Sequence, residues 1–303
     1  VGYGWKDKNF DFTSEVNVDC LACHDTTGTY KKPAGLAGNP VVGKPMEMPP
    51  GSGKIIKPVD LANVAQKIGK TSRDTCGSCH FFGGGGDGVK HGDMDSSLAA
   101  PDAELDIHMD AAGLDFTCGT CHKTSSHDVP GSRYKPTATE KHAAHIRGKE
   151  KQGNPATCQA CHGNTPHKTK TRLNTHAEKI ACQTCHVPTF ARGGVPTKLS
   201  WDWSTAGKLD ASGKQFTIKD KHGHATYASH KGDFVLGEKV KPEYRWFNGD
   251  IKYTLLGDKV EKTDAPTPIN RIGGSPSDGR SMIWPMKIMH GNQPFDPVNK
   301  TLV

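Results

Sequence analysis

All ten cysteines and five of the sixteen histidines fall into one pattern, Cys-x-x-Cys-His. It occurs as Cys20-Leu-Ala-Cys23-His24, Cys76-Gly-Ser-Cys79-His80, Cys118-Gly-Thr-Cys121-His122, Cys158-Gln-Ala-Cys161-His162 and Cys182-Gln-Thr-Cys185-His186. Two thiols three residues apart with an imidazole directly after them suit c-type haem attachment. The sulfurs form thioethers with the haem vinyl groups and the histidine binds iron from the proximal side. Random placement of 10 Cys and 16 His in 303 residues gives about 0.02 such matches, so five are not chance. Zinc also uses Cys-x-x-Cys half-sites, but it joins them in twos, and an odd number leaves one over. Neither zinc nor a disulfide framework needs a histidine after every second cysteine, and thioredoxin-type motifs do not recur five times in one chain. The reading is five haems c, with His24, His80, His122, His162 and His186 as proximal ligands.

Five macrocycles change what the rest of the chain must do. Apolar residues make up only 34% of it, with 35 Gly and 20 Pro, which is poor material for a conventional core. Flat apolar haems supply that core instead. The expected fold class is a multihaem cytochrome c, mainly short α-helices and long loops around a haem core, with little β. The attachment motifs should start or end helical turns, and removing haem should leave a largely unfolded chain. The first cysteines stand at 20, 76, 118, 158 and 182, and no cysteine follows Cys185. Residues 1–186 are therefore read as the haem-bearing region. Residues 187–303, with Trp201, Trp203, Trp246 and Trp284, are read as a Cys-free wrap packing on the haem core.

Eleven histidines remain as distal candidates: His91, His108, His127, His142, His145, His167, His176, His222, His224, His230 and His290. Bis-His ligation gives low potential and suits electron transfer, whereas Met as sixth ligand raises the potential. With only seven Met, bis-His should dominate. Five irons need five distal ligands; the surplus is either surface histidine or serves haems that this chain does not carry. His127 and His167 each stand five residues after a proximal histidine. So short a connection hardly reaches round the haem edge, so both are expected on neighbouring irons. Thr139–Ile146 reads as a helix with His142 and His145 on one face, able to serve two irons. Leu61–Ile68 reads as an amphipathic helix, and Phe216–Ile218, Phe234–Leu236 and Ile251–Leu256 as short strands.

The formal charge of +7 falls to about +2 once five ferric haems with ionised propionates are counted, and to about −3 when they are reduced. The basic balance is thus read as propionate compensation, and nucleic acid is not an expected partner. No run of 18 apolar residues provides a transmembrane segment. Thioether attachment takes place outside the cytoplasm, so a periplasmic or extracellular location is expected. The opening Val1-Gly-Tyr-Gly-Trp has no basic start or apolar stretch of a signal peptide, as in a mature or trimmed piece. The stretch Gly83 to Asp93 lacks the Lys-Ser/Thr of a phosphate loop and is read as backbone passing close over a haem. Asp87, Asp93 and Asp95 are weighed as a Ca²⁺ site, although their spacing departs from an ordered calcium loop.

Several longer stretches carry a resemblance. These are Gly2-Tyr-Gly-Trp5-Lys-Asp, the run from Cys20 to Tyr30-Lys-Lys, the run from Cys79 to Asp93, Ala191-Arg-Gly-Gly, Trp201-Asp-Trp-Ser-Thr-Ala-Gly207 and Pro242-Glu-Tyr-Arg-Trp246. Along essentially the whole chain they resemble the octahaem tetrathionate reductase family of periplasmic multihaem cytochromes. The resemblance implies eight haems, mostly bis-His, and reduction of tetrathionate, nitrite or hydroxylamine at one haem whose sixth ligand is a lysine. This chain departs from that pattern with five motifs, so Val1 is expected to begin mid-protein, after a segment bearing further haems. Lys31 and Lys32, after the first motif, are the candidates for the distal lysine. Lys6, Arg192 and Arg245 are candidates for attracting an anionic substrate.

Two functions are carried forward. The first is an electron-transfer cytochrome of that reductase type, with redox partner cytochromes or quinol-linked donors and small inorganic anions as substrate. The second is a non-catalytic conduit, a homo-oligomer or a subunit of an extracellular cytochrome filament, with every iron six-coordinate.

Overall fold

A cysteine pair three residues apart and the histidine after it share one face only where the chain is helical. All five motifs are helical in the computed structural model. Its described residues are 18–33, 36, 38–48, 50–81, 86–88, 94–124, 127, 129, 144–146, 149–151, 156–255, 257–261 and 263–303, with 9, 11, 14 and 16. Helices α1 (Cys20–His24), α3 (Arg73–His80), α4 (Cys118–Cys121), α5 (Cys158–His162) and α7 (Cys182–His186) carry the motifs. Helices α2 (Leu61–Gln66) and α6 (Arg172–His176) lie between them.

Helices this short do not hold by propensity; caps define them instead. Asp19 accepts the Leu21 N–H ahead of α1, and Asp60 accepts from Asn63 ahead of α2. Ser72 and Thr75 form a reciprocal capping box on α3, and Thr157 accepts the Ala160 N–H on α5. Residues 67–69 clasp α1: Thr26 donates its N–H to the Lys67 carbonyl at 3.2 Å, and Gly69 donates to the His24 carbonyl at 2.9 Å. A Cβ at Gly69 would stand 2.6 Å from Thr26 Cγ2, so a side chain there would push this strap off the motif.

Regular sheet is concentrated in the Cys-free part. A five-stranded sheet has the order His290–Asn292, Thr197–Asp202, Gly232–Gly237, Ala225–Ala228, Thr217–Lys219. It is antiparallel except for the pairing of His290–Asn292 with Thr197–Asp202. A second pair joins Glu243–Phe247 to Met282–Met286, and Ile251–Tyr253 pairs with Asn270–Ile272. Where the sequence predicts elements at 61–68, 216–218, 234–236 and 251–256, the helix runs Leu61–Gln66 and the strands Thr217–Lys219, Gly232–Gly237 and Ile251–Tyr253: two trimmed, one shifted and one longer. One expectation is corrected. Ala144–Ile146 is a strand paired with Lys149–Lys151 rather than the end of a helix, and 139–143 lie outside the described residues. A two-residue connection containing Gly148 favours a hairpin over one more helical turn.

The Cys-free part closes on the last motif. Ala181 N–H donates to the Ile283 carbonyl at 3.0 Å, Ile283 N–H to Lys179 at 2.8 Å, and Thr184 Oγ1 to the Ile283 carbonyl at 2.7 Å. Farther along the chain, Lys239 pairs with Glu104 at 3.4 Å. Among the described residues of 1–186 the buried apolar side chains are few, namely Val41, Val64, Phe81 and Ala181.

Arg73, buried in α3, ties two motifs together. Its Nε donates to the Phe116 carbonyl and its Nη1 to the Ala99 carbonyl, both at 3.1 Å, while Nη2 pairs with Asp115. Arg73→Met leaves two carbonyls unpaired and is expected to cost about 2–3 kcal/mol. A lowered guanidinium midpoint at unchanged haem content would show it.

Candidate haem sites

The ten sulfurs are free thiols. Cys20, Cys23, Cys79, Cys121, Cys161 and Cys185 are exposed, and Cys76, Cys118, Cys158 and Cys182 half-buried, so vinyl groups can reach each pair. The motifs follow one another in space in chain order. Burial, and then the neighbouring Cys79, push the Cys23 thiol up. Cys76 and Cys118 share a hydrogen bond, which raises the first and lowers the second. Burial, and then Cys161, raise Cys121, and Gln159 Nε2 donates to Cys182 Sγ at 3.9 Å. The second motif therefore touches the third and the fourth the fifth, while the first lies near the second and the third near the fourth.

Three proximal histidines face a second imidazole. Ring centres are 6.4 Å apart for His24 and His127, 6.2 Å for His162 and His108, and 6.1 Å for His186 and His167. A metal–imidazole bond of about 2 Å on each side, with about 1.1 Å from nitrogen to ring centre, puts trans imidazoles about 6.2 Å apart. The residues present fit iron held between them. Spacing alone is not sufficient, since His222 and His224 are also 6.2 Å apart but are joined through Gly223 alone, which leaves no room for a macrocycle between them.

Backbone and side chains orient these rings. His24 Nδ1 stands 2.7 Å from the Gly69 carbonyl, which accepts its proton and leaves Nε2 for a metal. His167 Nδ1 is 3.2 Å from Asn174 Oδ1, which also accepts the His167 backbone N–H at 3.0 Å; Asn174 Nδ2 donates back to the His167 carbonyl at 3.1 Å. His127 has left-handed backbone, φ 62°, a conformation that histidine tolerates better than most residues. His108 stacks on Phe116, whose carbonyl Arg73 holds. Nothing in the local sequence signals Asn174, Gly69 or Arg73 as positioning residues, because each acts on a ring brought to it by the fold.

The other candidates are dispersed. His176 ends α6, His290 lies in the edge strand, and His230 is exposed. His222 Nε2 bonds Glu238 at 3.0 Å, and His224 Nδ1 is buried with no hydrogen-bond partner. His91, His142 and the side chain of His145 lie outside the described residues, as does Lys6. Lys31 is exposed, and Lys32 pairs with Asp19. Burial works to raise the Asp19 carboxyl, but hydrogen bonds from Lys32 and from the Tyr30 hydroxyl prevail and lower it. Arg245 pairs with Glu243 at 2.6 Å. Of the aspartates weighed for calcium, Asp95 accepts from Gly88 and Ser97, Asp87 accepts from Ser96, and Asp93 lies outside the described residues.

Residues 198–303 match the family model for bacterial cytochrome c. An uncharacterized protein of Archaeoglobus fulgidus is 31% identical over 116 residues, 37% of each chain. The crystal structure of octaheme cytochrome c from Shewanella oneidensis is 40% identical, with a TM-score of 0.73, covering all of this chain and 60% of that one. The chain thus spans 37% of the first relative's length and 60% of the second's. No helix among the described residues is long and apolar enough to cross a membrane. Five attachment motifs on five short helices, joined to this likeness in sequence and fold, make the chain a multihaem c-type cytochrome.

Proposed function

We propose that the chain relays single electrons along five haems c outside the cytoplasm. In the intact protein this relay serves reduction of tetrathionate, nitrite or hydroxylamine in the manner of the octahaem tetrathionate reductases it resembles. The observation that carries the relay is the unbroken spatial succession of the motifs, bridged by histidines from other motifs' segments. Bound haem supplies one-electron exchange at iron.

The chain's own residues do the rest. Cysteine pairs would hold each haem covalently, and His24, His162 and His186 would bind its iron. His127, His108 and His167, each opposite one of them, would supply a second imidazole to those three irons and leave them no place for water or substrate. His127 extends from the third motif's segment to the first, and His167 from the fourth to the fifth, so ligation also staples the array. The region 1–186 is the relay and 187–303 its cover, which shields irons from solvent.

Coulometry on the purified holoprotein tests the relay. It should take up and return five electrons per chain, and irreversible or smaller uptake overturns it. A second imidazole opposite His24, His162 and His186 favours the conduit reading for those three centres. Anaerobic addition of tetrathionate or nitrite to the reduced intact protein separates the two. Rapid reoxidation, with each S–S bond taking two electrons to give two thiosulfates, supports the reductase; none supports the conduit.

A further inference from the structure

The three pairs of facing imidazoles differ in one respect, the angle between their planes. His167 and His186 lie 11° from parallel, whereas His108 and His162 cross at 67° and His24 and His127 at 82°. Contacts outside each pair hold these planes. The Gly69 carbonyl accepts from His24 Nδ1 at 2.7 Å, and His108 lies on the Phe116 ring, 30° from parallel. Asn174 grips His167 in three ways. Its Oδ1 accepts from the ring Nδ1 at 3.2 Å and from the backbone N–H at 3.0 Å, while its Nδ2 donates to the His167 carbonyl at 3.1 Å. A ring held at Nδ1 by a side chain bonded to the same residue's backbone cannot turn without breaking that bond.

Axial ligands are a protein's main handle on the potential of a haem. The angle between two of them acts because imidazole donates π density perpendicular to its own ring plane. Parallel rings on one low-spin ferric iron load the same d orbital and lift it above its partner. Crossed rings load both alike and leave them nearly degenerate. The parallel arrangement stabilises ferric iron more and so lowers the midpoint, and its electron paramagnetic resonance signal has three well-separated g values. The crossed arrangement gives a higher midpoint and one ramp-shaped feature at large g.

We propose that Asn174 is a positioning residue that holds His167 parallel to His186, and that this angle sets the centre at the fifth motif apart from those at the first and fourth by pulling its midpoint down. The inference rests on the reading that these histidines bind iron. An electron entering at the fifth motif then passes downhill to the fourth, whose Gln159 reaches Cys182 at 3.9 Å.

Low-temperature electron paramagnetic resonance of the oxidised holoprotein tests it, wild type against His167→Ala, Asn174→Leu and Asn174→Asp. His167→Ala should remove one signal with three separated g values, replace it by high-spin iron and leave the large-g features at full intensity. Asn174→Leu should move that same signal to larger maximal g, and Asn174→Asp, which keeps an acceptor for Nδ1–H, should retain it. If His167→Ala creates no high-spin iron, His167 binds none, and the proposal falls together with the reading it rests on. If high-spin iron appears but the signal lost is a large-g one, or if Asn174→Leu leaves the three-g signal in place, ligation stands and the proposal alone is overturned. Should Asn174→Leu lose haem, Asn174→Ala carries the same comparison.

Discussion

Replacing all ten cysteines by alanine is expected to unfold residues 1–186 while much of 187–303 keeps its strands. Motif helices of four to eight residues fall short of the roughly 12–15 that an isolated helix needs in water. Ordering the backbone costs about 1–2 kcal/mol per residue, so burial elsewhere must offset it. Of the described residues in 1–186, Val41, Val64, Phe81 and Ala181 are the buried apolar ones, each worth at most about 1.5–3 kcal/mol. That is far below the entropy of ordering so long a segment. Haem packing is the missing contribution, and it is lost when the macrocycle has no covalent hold. The Cys-free part has its own burial, with Tyr227, Ala228 and Phe234 on the five-stranded sheet, Phe247 and Met282 on the two-stranded one, and Val260 between them in the chain. Limited proteolysis of the ten-alanine variant should remove the first part and leave a fragment beginning near 190, with strand-dominated circular dichroism. A variant that resists cleavage throughout and unfolds in one cooperative step would show that the protein carries its own core.

The same contrast explains what could be read from the chain. Haem attachment was legible because thioether chemistry requires a fixed local spacing, and the spacing in turn requires a helix. Helix α2 was legible from its period, and the strands near 216–218, 234–236 and 251–256 from their branched and aromatic runs; Thr197–Asp202, Ala225–Ala228, Glu243–Phe247 and Met282–Met286 were not. His127 and His167 could be marked as reaching other irons because five residues do not go round a haem. Their rings stand opposite His24 and His186. The pairing of His108 with His162 was hidden, being a contact between segments 54 residues apart that only the packing of Phe116 and Arg73 brings about. Ala144–Ile146 misled because three residues are too few for periodicity to choose between helix and hairpin.

His167→Met is expected to raise the midpoint of one haem by on the order of 100 mV, within the ~0.8 V that axial ligation commands. Thioether sulfur stabilises ferrous iron relative to a second imidazole, so the sign is upward. The informative part is which haem responds. By position in the chain His167 belongs to Cys158–His162, but its ring stands opposite that of His186, with centres 6.1 Å apart and planes 11° from parallel. The shifted wave should therefore vanish in a Cys182→Ala, Cys185→Ala background and persist in a Cys158→Ala, Cys161→Ala one. Asn174→Leu should move the same wave upward by less, since losing the acceptor for Nδ1–H makes the imidazole a poorer donor without replacing it. A shift that follows Cys158 and Cys161 instead would place His167 on its own motif's iron and dissolve the staple between the last two haems. Agreement of the two variants on the fifth haem would establish that this iron's potential is set by the segment after the fourth motif, and so that the last two centres are tuned together.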